Sequence, residues 1–511
     1  MNAPLLFSGR RRILFAGLIG AALAQAVSLA ATAFATRAAF SWLDETGKIP
    51  PFVLCALAGA GLAMAVIRPL FRTLAEDFGQ DYARDVRLAL FDHTSRTAAS
   101  ELKKRRAGHM AMRFIGDLAA LKNWPGLGLP RLVQAAALLP AAIGVLFCLA
   151  APFGWTGLVM TAAALVALLA GAKSLTASHR LLRARRAQLA ADMAERLPLA
   201  PQLAALGRRA RELRLIRKRS AALRRVALER VALAELLHGL PEALVGIAAA
   251  VILIYGSRAG LASGTIAAAL AALGLSLYPL RQAMGVVNHF AAFRAAHAKL
   301  AAAFARPLRA DSFRDLRLGR GPLSLSLSLP DITPLTLKPG EDGHLPETAS
   351  SIVPILSGHD AAPVDGVALG GQPIGRLTLG SLRRNVAVIG PRPAVLRGSI
   401  RRALTLGVLD RPSDETIRKR LVVQNLGPVL EGLGGLDRRI AEGAADLSDA
   451  DRVRLAALRA ALGRPGLLVI VANLPDLSID VWARTHPATR LWIVPCRHPD
   501  AAFGPTIRSL H

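Results

Sequence analysis

Five polar side chains interrupt long apolar runs in the first 290 residues: Gln25, Gln134, Tyr278, Arg281 and Gln282. An amide, phenol or guanidinium in hydrocarbon costs free energy unless it finds a partner, so these positions are candidates for a substrate pathway. Arg281 and Gln282 stand near one end of their run, where snorkelling to the interface explains them equally well. The other chemistry-bearing residue types offer less. Cys55, Cys148 and Cys496 show neither metal-ligand spacing nor a paired framework, and the first two fall inside apolar runs, where a thiol acts as a small hydrophobe. The eleven histidines form no ligand motif, so no metal site is expected.

The elements that must position these residues follow from hydropathy. A run of about 20 apolar residues crosses a ~30 Å hydrocarbon core as a helix. Six such runs occur, at 13–36, 52–71, 128–151, 155–174, 237–257 and 262–285, and none after residue 290. Arg10, Arg11 and Arg12 before the first run resemble the start of a signal peptide. The apolar stretch from Ile13 to Ala35 exceeds a typical leader core and runs on into further spans, so it reads as a retained helix. Three links are short and weakly charged: Arg37 to Pro51, a Pro152-Phe153-Gly154 turn, and Ser257 to Gly260. Two long connections, 72–124 and 173–230, are crowded with Lys and Arg. The positive-inside rule therefore puts both termini and both long connections in the cytoplasm. Their periodicity, as in "DYARDVRLALFDHTSR" and "RLLRARRAQLAADMAERL", predicts helices continuing out of the membrane. The excess of 64 Lys and Arg over 35 Asp and Glu then reports topology rather than nucleic-acid binding, for which no module or aromatic platform is present. Small residues in "ALAGAGLAMA" and "GIAAAV" predict close helix packing in lipid.

After the sixth run, "AAFRAAHAKLAAAFARP" continues as an amphipathic helix to about Pro307. "PLSLSLSLP" then alternates like an antiparallel strand, and Pro, Gly and Asp become frequent. A membrane domain over 1–309 is thus expected to precede a soluble α/β domain over 310–511. In this architecture, local sequence resembles the ATP-binding-cassette (ABC) exporters. "RLALFDHTSR" followed by "GHMAMRFIGDLAALKNW" is similar to their first cytoplasmic hairpin, through Arg87, Phe91, Gly108, Arg113 and Asp117. In the soluble part the order "LTLKPGE", "PVDGVALGGQPIGRLTLGSLRRNVAVI", "VLRGSIRRAL", "GLDRRIAEGAADLSDADRVRLAALRAAL" and "RPGLLVIVANLPDLSID" resembles the family's cassette nearly end to end. The resemblance implies an all-α six-helix transmembrane domain with long cytoplasmic helical extensions, followed by an α/β P-loop-NTPase-like cassette.

The resemblance also locates where ATP chemistry belongs, and those positions lack its residues. An ATPase of this class cradles phosphate in a Gly-rich loop closed by Gly-Lys-Ser/Thr at a helix start. The corresponding Walker A positions are Thr348, Ala349, Ser350 and Ser351, so the lysine is lost, and Pro346 and Glu347 occupy the loop. The glutamine-loop position is Pro391. Walker B, which should end in Asp-Glu for magnesium and water, ends in Asn473 and Leu474. The switch-histidine position is Cys496. The signature reads Leu447, Ser448, Asp449, Ala450, Asp451, where Asp449 would set negative charge beside phosphate, and Ser448 reads rather as an ordinary helix N-cap. Ser478 and Asp480 keep the D-loop.

The sequence therefore predicts a pseudo-ATPase half-transporter in the bacterial inner membrane, surrounded by lipid and paired as a heterodimer with an ATPase-competent half. No cofactor is expected for the chain alone, with ATP and Mg entering only through the partner cassette, and no nucleic-acid partner is expected. The alternative is a non-transporting scaffold or regulator that keeps the fold. Transport driven by an ion gradient would need carboxylates buried in the spans, and none is expected there, since the one acidic residue in the six runs, Glu242, stands near an end.

Overall fold

A computed structural model describes residues 4–98, 117–306, 308, 315–330, 332–360, 366–390, 393–408, 412–471 and 474–494. The chain divides into two compact units, the first of which ends at Arg306.

The first unit is built from six long helices: α1 (Arg10–Thr46), α2 (Pro51–Ser95), α3 (Asp117–Leu149), α4 (Ala151–Arg196), α5 (Arg209–Arg258) and α6 (Ser263–Phe304). All six contain a segment long and apolar enough to cross a membrane. At about 1.5 Å per residue, the 45 residues of α2 and the 50 of α5 run well past the ~30 Å of hydrocarbon, so both helices continue from their spans into the long connections. Two of the three links are shorter than expected. The helix α1 runs on to Thr46, where Gly47 takes a left-handed φ of 66° and its N–H closes on the Leu43 carbonyl. The expected Pro152-Phe153-Gly154 turn is absent. The break falls on extended Ala150, and Pro152 sits in the first turn of α4, where its missing N–H leaves no helical bond unmade.

The small-residue stretches pack through alanines, with Ala60 and Ala248 buried, rather than through their glycines. A Cβ built on Gly59, Gly61 or Gly246 would meet nothing within 4 Å, so these glycines bring no helices of this chain together. The close approach lies elsewhere. A Cβ on Gly79 of α2 would stand 2.8 Å from the Gly126 Cα, inside a π-helical turn, Trp124–Gly128, that widens α3 at its crossing with α2.

The second unit is α/β. A parallel sheet of order β3-β10-β9-β6 is formed by β3 (Asp342–Pro346), β6 (Val386–Ile389), β9 (Leu467–Ile470) and β10 (Thr489–Val494). An antiparallel sheet of order β2-β1-β4-β5 is formed by β1 (Leu325–Leu329), β2 (Ile332–Leu337), β4 (Val367–Leu369) and β5 (Gln372–Pro373). The alternating "LSLSL" is β1, with Leu325 and Leu327 buried and Ser326 exposed. Strand β9 is buried on both faces, as a central parallel strand must be. Leu467 and Val469 face one core, shared with the antiparallel sheet; Leu468 and Ile470 face another, shared with helices α7 (Ile400–Leu404), α8 (Asp414–Val423), α9 (Asp449–Gly463) and α10 (Leu477–Thr485). Antiparallel sheet, parallel sheet and helices thus form three layers around two cores.

Candidate functional site

The parallel sheet is the frame on which the candidate positions of the second unit are judged. Strands β3, β6, β9 and β10 all point the same way, so their carboxyl ends share one edge, where open α/β sheets bind ligands. The positions expected for phosphate chemistry follow those ends in the chain. Thr348, Ala349, Ser350 and Ser351 come directly after β3. Pro391, Asn473 and Cys496 come within three residues of the ends of β6, β9 and β10, and lie outside the described residues. Leu474 packs half-buried against the helical core.

After β3 the backbone closes into a 3-10 turn, Glu347–Ser351, that runs into a single helical turn, Ile352–Leu356. No residue between Gly340 and Gly358 has a positive φ. A phosphate nest needs successive N–H groups converging from right- and left-handed conformations, and this segment has no left-handed residue to supply that geometry. Ala349 is buried against the core, while Thr348, Ser350 and Ser351 are exposed.

The signature positions are occupied by a structural clamp. Ser448 is the N-cap of α9: its Oγ accepts the Asp451 N–H at 3.1 Å, and the Asp451 carboxylate accepts the Ser448 N–H at 3.4 Å. Leu447 is buried, Asp449 is exposed and pairs with Arg452, and Ala450 is half-buried. Arg454, one turn on, donates to Asp451 at 2.8 Å and forks onto both oxygens of Asp476 at 2.7 and 2.9 Å. The fork holds the Asp476 carboxyl below its ordinary range and raises the Arg454 guanidinium. Burial works to raise Asp451, but hydrogen bonds from Arg454 and Ser448 override it and leave it lowered. Asp476 immediately precedes α10, whose Ser478 is exposed and whose Asp480 accepts from Arg484 at 2.9 Å. Arg454 lies in the segment "GLDRRIAEGAADLSDADRVRLAALRAAL" that resembles the family, but nothing in the sequence singled out Asp476 as its partner.

In the membrane unit the five polar positions separate into two groups. Gln25 and Gln134 are almost fully buried, and the Gln134 amide donates to the Gln25 carbonyl oxygen at 2.5 Å. The other three lie along α6. Tyr278 lies beneath the Arg68 guanidinium, 4.0 Å from ring to cation, and Gln282 is half-buried. Arg281 pairs with Glu242 of α5, and both side chains are about half exposed. Neither Arg68 nor Glu242 was singled out from the sequence as a pathway candidate; each stands near the end of an apolar run, where charge is unremarkable.

Gln134→Leu is expected to destabilise the membrane unit by about 1–2 kcal/mol, the cost of orphaning a buried amide. Replacing both glutamines by leucine removes donor and acceptor together and should recover to within about 0.5 kcal/mol of the parent. Thermal unfolding of the purified variants in detergent checks both values.

Residues 14–271, just over half of the chain, match the family described as the ABC transporter transmembrane region. The chain belongs to the ABC transporter transmembrane family. It is an integral membrane protein whose six apolar helices precede a small α/β region. This ABC transporter chain is also similar to P-glycoprotein 14 of Caenorhabditis elegans, 34% identical over 101 residues that cover 20% of this chain and 8% of that protein.

Proposed function

We propose that this chain is the non-hydrolysing half of an ABC exporter in a bacterial inner membrane, with its termini and its degenerate cassette in the cytoplasm. ATP and Mg would be handled with an ATPase-competent partner half. The observation that carries the reading is the carboxyl edge of the parallel sheet. It is the place where an α/β fold would hold a nucleotide, yet the segment after β3 has neither a lysine nor a left-handed backbone position. The serine that would face a partner's phosphate is engaged as an N-cap, beside Asp449. Folding is supported by other means at these positions, chiefly the Arg454 fork, which needs no ligand. The soluble unit then acts as a docking and coupling domain.

Purified alone in nanodiscs, the chain should hydrolyse ATP no faster than empty discs and bind it weaker than the micromolar range. Capture from membranes by an affinity tag should co-purify a second ABC half that hydrolyses ATP. Micromolar ATP binding or turnover by the isolated chain overturns the reading, and capture without any ABC partner favours the scaffold. Restoring one residue should not rescue binding: Ala349→Lys is expected to gain no ATP affinity in a fluorescent-nucleotide titration, because the surrounding backbone presents no nest.

A further inference from the structure

The membrane unit contains a cavity of about 1040 Å3, walled by α3, α4, α5 and α6 where their apolar segments end. That volume is at the upper end of the roughly 300–1,000 Å3 typical of small-molecule sites. Its charge is one-sided. Arg131, Arg180, Arg183, Arg230 and Arg294 line it, and Asp117, the one lining carboxylate among the described residues, is already bound to Lys299 through both oxygens at 2.7 and 3.0 Å. Among the described residues, no carboxylate pairs with any of the five arginines. Arg131 and Arg230 instead face imidazoles, His289 at 3.2 Å and His179 at 3.4 Å, and their Nε atoms are buried without a hydrogen-bond partner. The Asn288 side-chain oxygen, also on the cavity wall, is buried and unpartnered.

Five guanidiniums around one space repel each other, and two of them hold donors with nothing to donate to. Some arginines of the second unit are neutralised, as with Arg454 and Arg401, whereas those of the cavity are not. Guanidinium forks match the oxygens of a phosphate two at a time, and the Asn288 oxygen can accept from a neighbouring hydroxyl. Val287 and Phe290 give the same wall an apolar stretch. We propose that this cavity binds the phosphate group of an anionic amphiphile, its headgroup among the arginines and its apolar part along α6 toward the membrane. This assigns a ligand class to the membrane unit and does not depend on the pseudo-ATPase reading of the soluble unit.

The test uses the full chain purified in neutral detergent, with bound lipid counted by native mass spectrometry. Phosphatidic acid should be retained about tenfold or more over phosphatidylcholine. Arg183→Gln/Arg294→Gln should weaken that retention by about tenfold or more, the scale of losing charge-assisted hydrogen bonds. Arg217→Gln/Arg224→Gln removes the same charge from exposed positions on α5 outside the cavity and should leave retention unchanged. An added arm separates the source of the phosphate. Displacement of phosphatidic acid by millimolar inorganic phosphate would make the site a general phosphate site open to soluble ligands; resistance to displacement would assign it to the amphiphile. Equal retention of the two lipids, or equal loss in both double variants, overturns the proposal. Either result would leave the ATP measurements on the soluble unit untouched.

Discussion

Gly79→Leu is expected to destabilise the membrane unit by about 3 kcal/mol or more, because no side-chain rearrangement can make room for it. A Cβ at position 79 would lie 2.8 Å from the Gly126 Cα and 3.0 Å from both the Gly126 nitrogen and the Lys122 carbonyl oxygen. All three are backbone atoms, so relief requires α2 and α3 to part. Parting them would disturb a crossing that other contacts depend on: Lys122 reaches across to Glu76 at 2.8 Å, and Trp124 of the same π turn packs on Phe290 with ring centres 4.9 Å apart. Gly79→Ala should be intermediate, since the gain in helix propensity of about 1 kcal/mol offsets part of the clash. Gly59→Ala on the same helix meets nothing, and should be neutral or slightly stabilising. Unfolding midpoints of the three variants in one detergent decide the matter. A Gly79→Ala protein as stable as Gly59→Ala would mean that the crossing is looser than described.

The second large effect concerns the clamp in the α/β unit. Asp476→Ala should cost about 1–2 kcal/mol, below the 3–5 kcal/mol of a fully buried pair, because Arg454 and Asp476 are each about a quarter exposed and partly screened. The readout is hydrogen exchange in α9 and α10, where protection should fall more than in β9. The same pair sets a pH dependence. Asp476 and Asp451 have folded pKa values below the ordinary Asp value of about 3.9, so the unfolded chain takes up protons first as pH falls. Their contribution is complete above about pH 5 and is lost as pH drops through the folded values. Protection in α9 and α10 should therefore decline with acid in the parent, and decline less in Asp476→Ala. An identical acid profile in the two proteins would show that Asp476 carries none of the effect.

Much of the architecture was legible because its signals are local. The six helices follow from apolar length, β1 from strict alternation in "LSLSL", and the Ser448 cap from a serine three residues ahead of an aspartate. The helix ends were less legible. Pro152 reads as a turn in isolation, but a proline in the first turn of a helix costs no hydrogen bond, so α4 could start before it. The small-residue stretches read as packing motifs, yet a glycine packs only where another backbone arrives, and that happens at Gly79 and Gly126.

By itself the sequence determined which segments could enter a membrane and which residue types stand at the positions expected to handle phosphate. These depend on composition and spacing over one or two dozen residues. Only the tertiary structure decided who pairs with whom: Gln25 with Gln134, Arg281 with Glu242, Arg454 with Asp476, and five arginines around one cavity. It also decided that β3, β6, β9 and β10 share a carboxyl edge, since parallel strands joined by long crossovers can be ordered in several ways. The physical reason is the same in each case. A side chain's own type sets what it needs, whereas the partner that meets the need is brought by packing from 22 to 109 residues away.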